Sequence, residues 1–130
     1  MIYLPDTNTI LRYLLADNPV QFETAFELFE KIREGDERAI ILESVIVECI
    51  YVLVKFYKIP RHIAAEKLKA FLSYRGICNT DRDLLVKALK LFSEKNLDIV
   101  DCILFEKSGD ENFILFTFEE KLLKLKQRRS

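Results

Sequence analysis

Five carboxylates stand where chemistry on a polyanion would need them. Asp6 closes the apolar run Ile2–Pro5, and Glu48 is the lone acid among the ten residues Val45–Val54, nine of which are apolar. Asp98 and Asp101 lie three apart, on one face of any helix they open. Glu119 follows Asn112–Phe118, which is rich in β-formers. Ionised carboxylates held close together repel one another and raise each other's pKa unless a cation neutralises them. Oxygen ligands with no paired His or Cys nearby suit hard ions such as Mg²⁺ or Mn²⁺. Such ions activate water and stabilise charge on a phosphate during in-line displacement. The chemistry suggested is phosphodiester hydrolysis.

Each acid also has a purely structural reading. Asp6 and Asp98 could cap the helices that follow them. Asp101 could favour the positive end of its helix, although it lies between Val100 and Cys102 in an otherwise apolar turn. Glu119 stands beside Glu120 at a junction that commonly carries solvated acids. Glu48 is the hardest to dismiss, because a helix so apolar on all sides should be largely buried. An isolated buried carboxylate loses hydration and takes up a proton unless something positive meets it.

The elements that would position these acids alternate along the chain. Ile2–Pro5 reads as a buried strand, and Asp6-Thr7-Asn8-Thr9 supplies N-cap candidates for a helix through Ala16. Val20–Gly35 has helical spacing at Phe22, Ala25, Phe26, Phe29 and Ile32, and should be mostly core on its Phe-rich side; Gly35 stops it. Arg38–Leu42 reads as a second strand. Ser44 is the cap expected for the apolar helix that runs to Tyr57, and Ile59-Pro60 breaks that helix. Arg61–Tyr74 is amphipathic, Gly76–Cys78 is a short strand candidate, and Asn79-Thr80-Asp81 caps a helix over Arg82–Lys95. A further helix opens at Asp98 and closes near Ser108-Gly109, and Asn112–Phe118 is the best strand in the chain. Glu119–Ser130 ends as a short basic helix or tail. This order predicts an α/β fold, a three-layer α/β/α sandwich with a central, mainly parallel sheet. Ligand sites in such sheets gather beyond the carboxyl ends of the strands, where these five acids fall.

Composition agrees. The 130 residues suit a single domain over 1–130, half are apolar, and Gly and Pro number only three each. Twenty basic against 21 acidic residues leave a formal charge of −1, so only local clusters can speak for a nucleic-acid partner. Cys49, Cys78 and Cys102 form no metal-type C-x-x-C spacing and are expected as reduced thiols. The start MIYLPD lacks the pattern of a secretory leader, and Lys55 ends the longest apolar run well short of a membrane span. A soluble, cytoplasmic protein is expected.

With those residues in place the chain resembles the PIN-domain family, and within it the VapC-type ribonuclease toxins of prokaryotic toxin–antitoxin pairs. The resemblance rests on four elements in order. They are the strand entering a helix through Asp-Thr-Asn (IYLPDTNTILRYLL), the glutamate early in an apolar helix (SVIVECIYVL), the acid-x-x-acid pair (LDIVDCIL) and the terminal LFTFEEKLLKL. It implies that Asp6, Glu48 and Asp101 are the principal metal-binding acids, with Asp98 an additional one and Asn8 and Thr117 as supporting polar residues. Where the family usually has aspartate after Thr-Phe, this chain has Glu119, whose extra methylene moves the carboxylate along the side chain.

The function implied is a Mg²⁺- or Mn²⁺-dependent endoribonuclease, the toxin of such a pair. The alternatives are an RNA-processing PIN nuclease and a catalytically inactive PIN-like module that binds RNA or protein. An acidic pocket repels RNA, so basic residues must hold the flanking phosphates. Arg12, Lys55, Lys58, Arg61, Lys121 and Lys124 are the candidates, with Lys126, Arg128 and Arg129 further along the tail. His62, the only histidine, falls at a helix start and suits a surface role. The resemblance further implies an antitoxin partner seated near the early helices, and a homodimer.

Overall fold

A computed structural model describes residues 1–129. Strand β1 (Ile2–Tyr3) lies parallel to β2 (Arg38–Ala39), with Ile2 opposite Arg38 and Tyr3 opposite Ala39. Ala39 bridges in parallel to Ile77, donating to Gly76 O at 2.8 Å and accepting from Cys78 N at 2.9 Å. The Gly76–Cys78 segment thus continues the sheet beyond β2, as its sequence anticipates. Asn79 extends the pairing with its side chain: its Oδ1 accepts from Ile41 N at 2.8 Å and its Nδ2 donates to Ile41 O at 2.6 Å. That amide is spent on the strand end and does not cap the next helix. Parallel strands joined through helices make this an α/β fold.

Helix α1 (Thr7–Leu15) starts at the Asp6 cap, and α2 (Pro19–Glu34) starts at an Asn18 cap with proline in its first turn. Gly35 ends α2 in the left-handed region, at φ 87°, as expected of it. Gly76 is required for a different reason. A Cβ there would stand 2.1 Å from Glu37 O and 2.6 Å from Ile32 O, so strand and helix approach too closely for any side chain. The Phe-rich helix is core along one face only: Ala25, Phe29 and Ile32 are buried, whereas Val20 and Phe26 are exposed.

Helix α3 (Glu43–Tyr51) passes directly into a π-helical turn, Val52–Phe56, closed by Tyr57 N donating to Val52 O at 3.0 Å. Its N-cap position is Leu42, with no side-chain bond, rather than Ser44. Ile46, Cys49, Ile50 and Leu53 form its buried face. Helix α4 (Arg61–Leu72) packs on α5 (Arg82–Glu94), which packs on α6 (Ile99–Lys107). Helix α7 (Glu120–Arg129) packs on α6 and inserts Leu122 fully. The buried residues form one apolar cluster from Ile10 to Leu122. Cys49 and Cys102 are buried free thiols within it, Cys78 is an exposed one, and His62 is exposed. No described helix is long and apolar enough to cross a membrane.

The sheet is smaller than the sequence suggests. Residues 113–118 are extended but join no strand, and Ile114, Phe116 and Phe118 are 91, 87 and 89 % exposed. The alternation is real, yet the half-buried side is Leu115 and Thr117, and the larger side chains face outward. Propensity marks this segment as β, but a strand exists only where a neighbour supplies backbone partners. The side of β1 that meets β2 is bonded, with Ile40 N donating to Tyr3 O at 3.0 Å. The described sheet comprises β1, β2 and the single bridge to Ile77, smaller than the central sheet expected of a three-layer sandwich.

Candidate active site

The sequence acids stand at the starts of α1, α6 and α7 and within α3, and they fall into two groups. Asp6 sits between β1 and α1, where its Oδ1 accepts from both Thr9 N (2.9 Å) and Thr9 Oγ1 (2.7 Å). The hydroxyl, and after it the amide, hold the Asp6 carboxyl below the ordinary carboxylate range. Both bonds fall on one oxygen, so capping leaves Oδ2 available.

Glu48 is exposed, contrary to the burial anticipated for it. The α3 register explains the difference: with Ile46, Cys49, Ile50 and Leu53 inward, Glu48 lies on the opposite face beside the exposed Tyr51. An apolar helix need not be covered all round, and the carboxylate keeps its hydration. Cys49 records where this acid lies. Its thiol is pushed up to about 12 by burial first, and then by the negative charges of Glu48 and Asp6. Those two acids therefore share the electrostatic surroundings of one buried sulfur.

Asp98 is the N-cap residue of α6 by backbone conformation, with no side-chain capping bond, and Asp101 stands in the first turn of that helix. The Asp101 carboxyl is raised above its usual range by partial burial first, then by the charges of Asp98 and Glu119. Glu119 is exposed at the start of α7; its amide donates to Thr117 Oγ1 at 2.9 Å and its Oε1 accepts from Lys121 N at 3.3 Å. Thr117 thereby orients Glu119 through its amide. Asn8 is exposed and lines a groove of about 360 Å³ between α1 and α2, with Thr9, Val20 and Leu28 among its other walls.

None of the five acids is ion-paired among the described residues, whereas Glu30, Glu66 and Glu106 each hold a cation. Unpaired carboxylates under like-charge pressure are the donor chemistry that a hard divalent ion fits. The arrangement here is open: among the described residues no three acidic, Cys or His side chains stand close enough to ligate one ion.

The basic candidates divide by what already occupies them. Arg12 donates to Asp17 Oδ1 at 2.7 Å and to the Tyr57 hydroxyl at 3.2 Å. Arg61 turns inward. Its Nη2 donates to the carbonyls of Phe92 (3.1 Å), Lys95 (2.9 Å) and Leu97 (2.5 Å), and its Cζ lies 3.6 Å from the centroid of the Phe92 ring. This guanidinium fastens the turn that delivers Asp98 and Asp101. It also partly offsets the rise of the Cys102 thiol, which burial pushes up to about 12. Lys55 and Lys58 are exposed. Lys55 lines a cleft of about 160 Å³ shared with Tyr51, Arg61, Asp98 and Asp101. Lys121 and Lys124 line another, of about 240 Å³, together with Lys95 and Arg128.

Two of these residues escaped the sequence reading. Tyr51 shares a helical face with Lys55 at i,i+4 spacing, a signal visible in principle. Lys95 sits in a short turn, and nothing local marks it; the packing of α7 brings it beside Lys121.

Comparison with known proteins bears on the fold and on this site. The family model described as the PIN domain matches residues 3–127. The chain belongs to the PIN-domain family. A protein named VapC ribonuclease, from Aquifex aeolicus (strain VF5), is 27 % identical over 100 residues, covering 77 % of this chain and 73 % of that one. No solved structure matches the chain. The match to the family covers the acids at Asp6, Glu48, Asp98, Asp101 and Glu119 of this PIN domain, all of which fall within 3–127.

Proposed function

We propose that this PIN domain is a divalent-metal-dependent endoribonuclease and the toxin of a type II toxin–antitoxin pair. The observation that carries the reading is the state of Asp101, a carboxylate raised by partial burial and then by Asp98 and Glu119, with no ion-pair partner among the described residues. Its likeness to a protein named VapC ribonuclease supports RNA as the substrate. Asp6, Glu48 and Asp101 would hold a Mg²⁺ or Mn²⁺ ion, directly or through water, with Asp98 and Glu119 completing the acidic pocket. When bound, the ion supplies the positive charge that activates water and stabilises the phosphate in displacement.

The chain's own residues supply placement. Thr9 favours the ionised form of Asp6, the form that a metal ligand needs. Arg61 fixes the turn before α6, and Thr117 orients Glu119 through its amide. The groove between α1 and α2 is the seat for an antitoxin segment, and a homodimer in the cytoplasm completes the reading. In a three-layer arrangement, residues 113–118 would pair with the open side of β1 and carry Glu119 to the carboxyl end of the sheet.

Purified protein should cleave RNA with Mg²⁺ or Mn²⁺, stop on chelation, and lose activity in Asp101→Asn and Asp6→Asn. Cleavage that persists in both variants would overturn the site. The separation of the acids into two groups favours a second reading, an inactive module that binds RNA or protein. It predicts no heat of Mg²⁺ or Mn²⁺ binding in calorimetry.

A further inference from the structure

The cleft of about 240 Å³ between the turn after α5 and helix α7 has an unusual lining. Lys95, Lys121, Lys124 and Arg128 surround Asn96, Leu97 and Leu125, and no acid lines it. The whole chain is nearly neutral, at −1, so four cations around one small concavity are a local concentration of charge rather than a general property. Such a grouping repels itself in the folded state, and an anion would relieve it. Lys121 Nζ donates to Asn96 O at 3.3 Å, which ties the start of α7 to the turn that leads into Asp98. Lys124 lies 4.0 Å from Glu120, an exposed pair that holds it loosely. The charges of Lys95 and Arg128 have no carboxylate partner among the described residues.

Position gives the cleft its meaning. Asp98 follows Leu97 directly, and Glu119 precedes α7 by one residue. The basic wall therefore continues into the acidic group through the same two segments of chain. A single strand of RNA is a polyanion of regularly spaced phosphates. One crossing this boundary could lay one phosphate among the acids, where an ion is needed, and its neighbours among the cations. Leu97 and Leu125 offer an apolar floor on which a ribose or base could rest.

We propose that this cleft is the subsite for single-stranded RNA backbone phosphates flanking the scissile one, held by Lys95, Lys121, Lys124 and Arg128. The assignment rests on the nuclease reading above and adds to it the path of the substrate. It differs from a diffuse basic tail, because residues from two separate parts of the chain must act together. Contacts to phosphate fix position without reading sequence, so cleavage preference must arise elsewhere.

The test is binding of a fluorescein-labelled single-stranded RNA in EDTA, where no cleavage can occur, followed by anisotropy across a salt series. Lys95→Ala/Arg128→Ala should bind about tenfold more weakly at low salt, and its slope of log affinity against log salt should be shallower by roughly 1.4, at about 0.7 per lost contact. The control Lys67→Ala/Lys90→Ala removes the same charge from exposed positions on α4 and α5. It should bind like wild type. Far-UV circular dichroism and the urea midpoint should be the same in all three proteins.

Wild-type affinity and slope in the cleft variant would overturn the proposal, as would an equal loss in the control. The two readings fail separately. If wild type binds RNA through the cleft yet never cleaves it with Mg²⁺ or Mn²⁺, the nuclease reading falls and the cleft stands. If wild type cleaves RNA and the cleft variant binds and cleaves equally well, the cleft falls alone.

Discussion

Arg61→Ala should loosen the turn that carries the acidic pair. The guanidinium makes three contacts from Nη2, to Phe92 O, Lys95 O and Leu97 O at 3.1, 2.9 and 2.5 Å. One nitrogen has only two hydrogens, so these amount to about two full charge-assisted bonds, each worth on the order of 1.5–3 kcal/mol. The carbonyl of Lys95 can return to water, which lowers the net loss. Stacking on the buried Phe92 ring at 3.6 Å adds about 1 kcal/mol for a partly desolvated cation. The expected destabilisation is about 3 kcal/mol, and at roughly 3–5 °C per kcal/mol for a chain of this size it lowers Tm by about 10 °C. Arg61→Lys keeps the charge but not the planar fork, and should lose about half as much. Urea unfolding followed by circular dichroism measures both. A cycle with Phe92→Leu should return about 1 kcal/mol of coupling. An Arg61→Ala protein that unfolds at the wild-type midpoint would refute the reasoning, since the carbonyls would then be equally well served by water.

Asp101→Asn should stabilise the ion-free protein at neutral pH. A carboxyl whose folded pKa lies above its ordinary value binds its proton more tightly when folded, so stability falls as pH rises from about 3.8 through the raised value. The variant should flatten that part of the pH–stability curve, as followed by urea midpoints in chelator. Asp6 carries the opposite sign: its contribution is present above about 3.8 and disappears as pH falls through its lowered folded value. Asp6→Ala should cost about 1 kcal/mol through the lost cap, while Asp6→Asn retains the cap and separates stability from activity. Phe116→Ser removes a ring that is 87 % exposed and should move the urea midpoint little. A loss of about 3–5 kcal/mol would instead show that residues 113–118 are buried in a larger sheet.

Much of the fold was legible because helices announce themselves through local chemistry. The Asn18 cap, Pro19 and Gly35 bound α2, Pro60 precedes α4, and the helical spacing of Leu84, Leu85, Ala88, Leu91 and Phe92 marks the apolar face of α5, all but Leu84 being buried. Strands depend on partners elsewhere in the chain. Arg38–Leu42 was legible as β2, though only Arg38–Ala39 pair as a strand, and the strong β pattern of residues 113–118 found no neighbour. Glu48 failed for a related reason. Nine apolar residues in a run of ten fix no helical phase, so only packing could decide which face turns inward.

The sequence by itself determined the carboxylates, their place after β1, within α3 and around α6, the free thiols and the order of the helices. These follow from residue type and short-range spacing, which act within a turn or two of chain. Tertiary structure alone decided the rest. It committed Arg61 to three carbonyls rather than to substrate, and it placed Lys95 beside Lys121 and Arg128 across a cleft. It also set Asp6 and Glu48 around one sulfur while Asp98 and Glu119 press on Asp101. Electrostatic neighbours are set by distance in space, and one sequence without its packing carries no such distances. The acids could be named from the chain, but the charge each one meets could not.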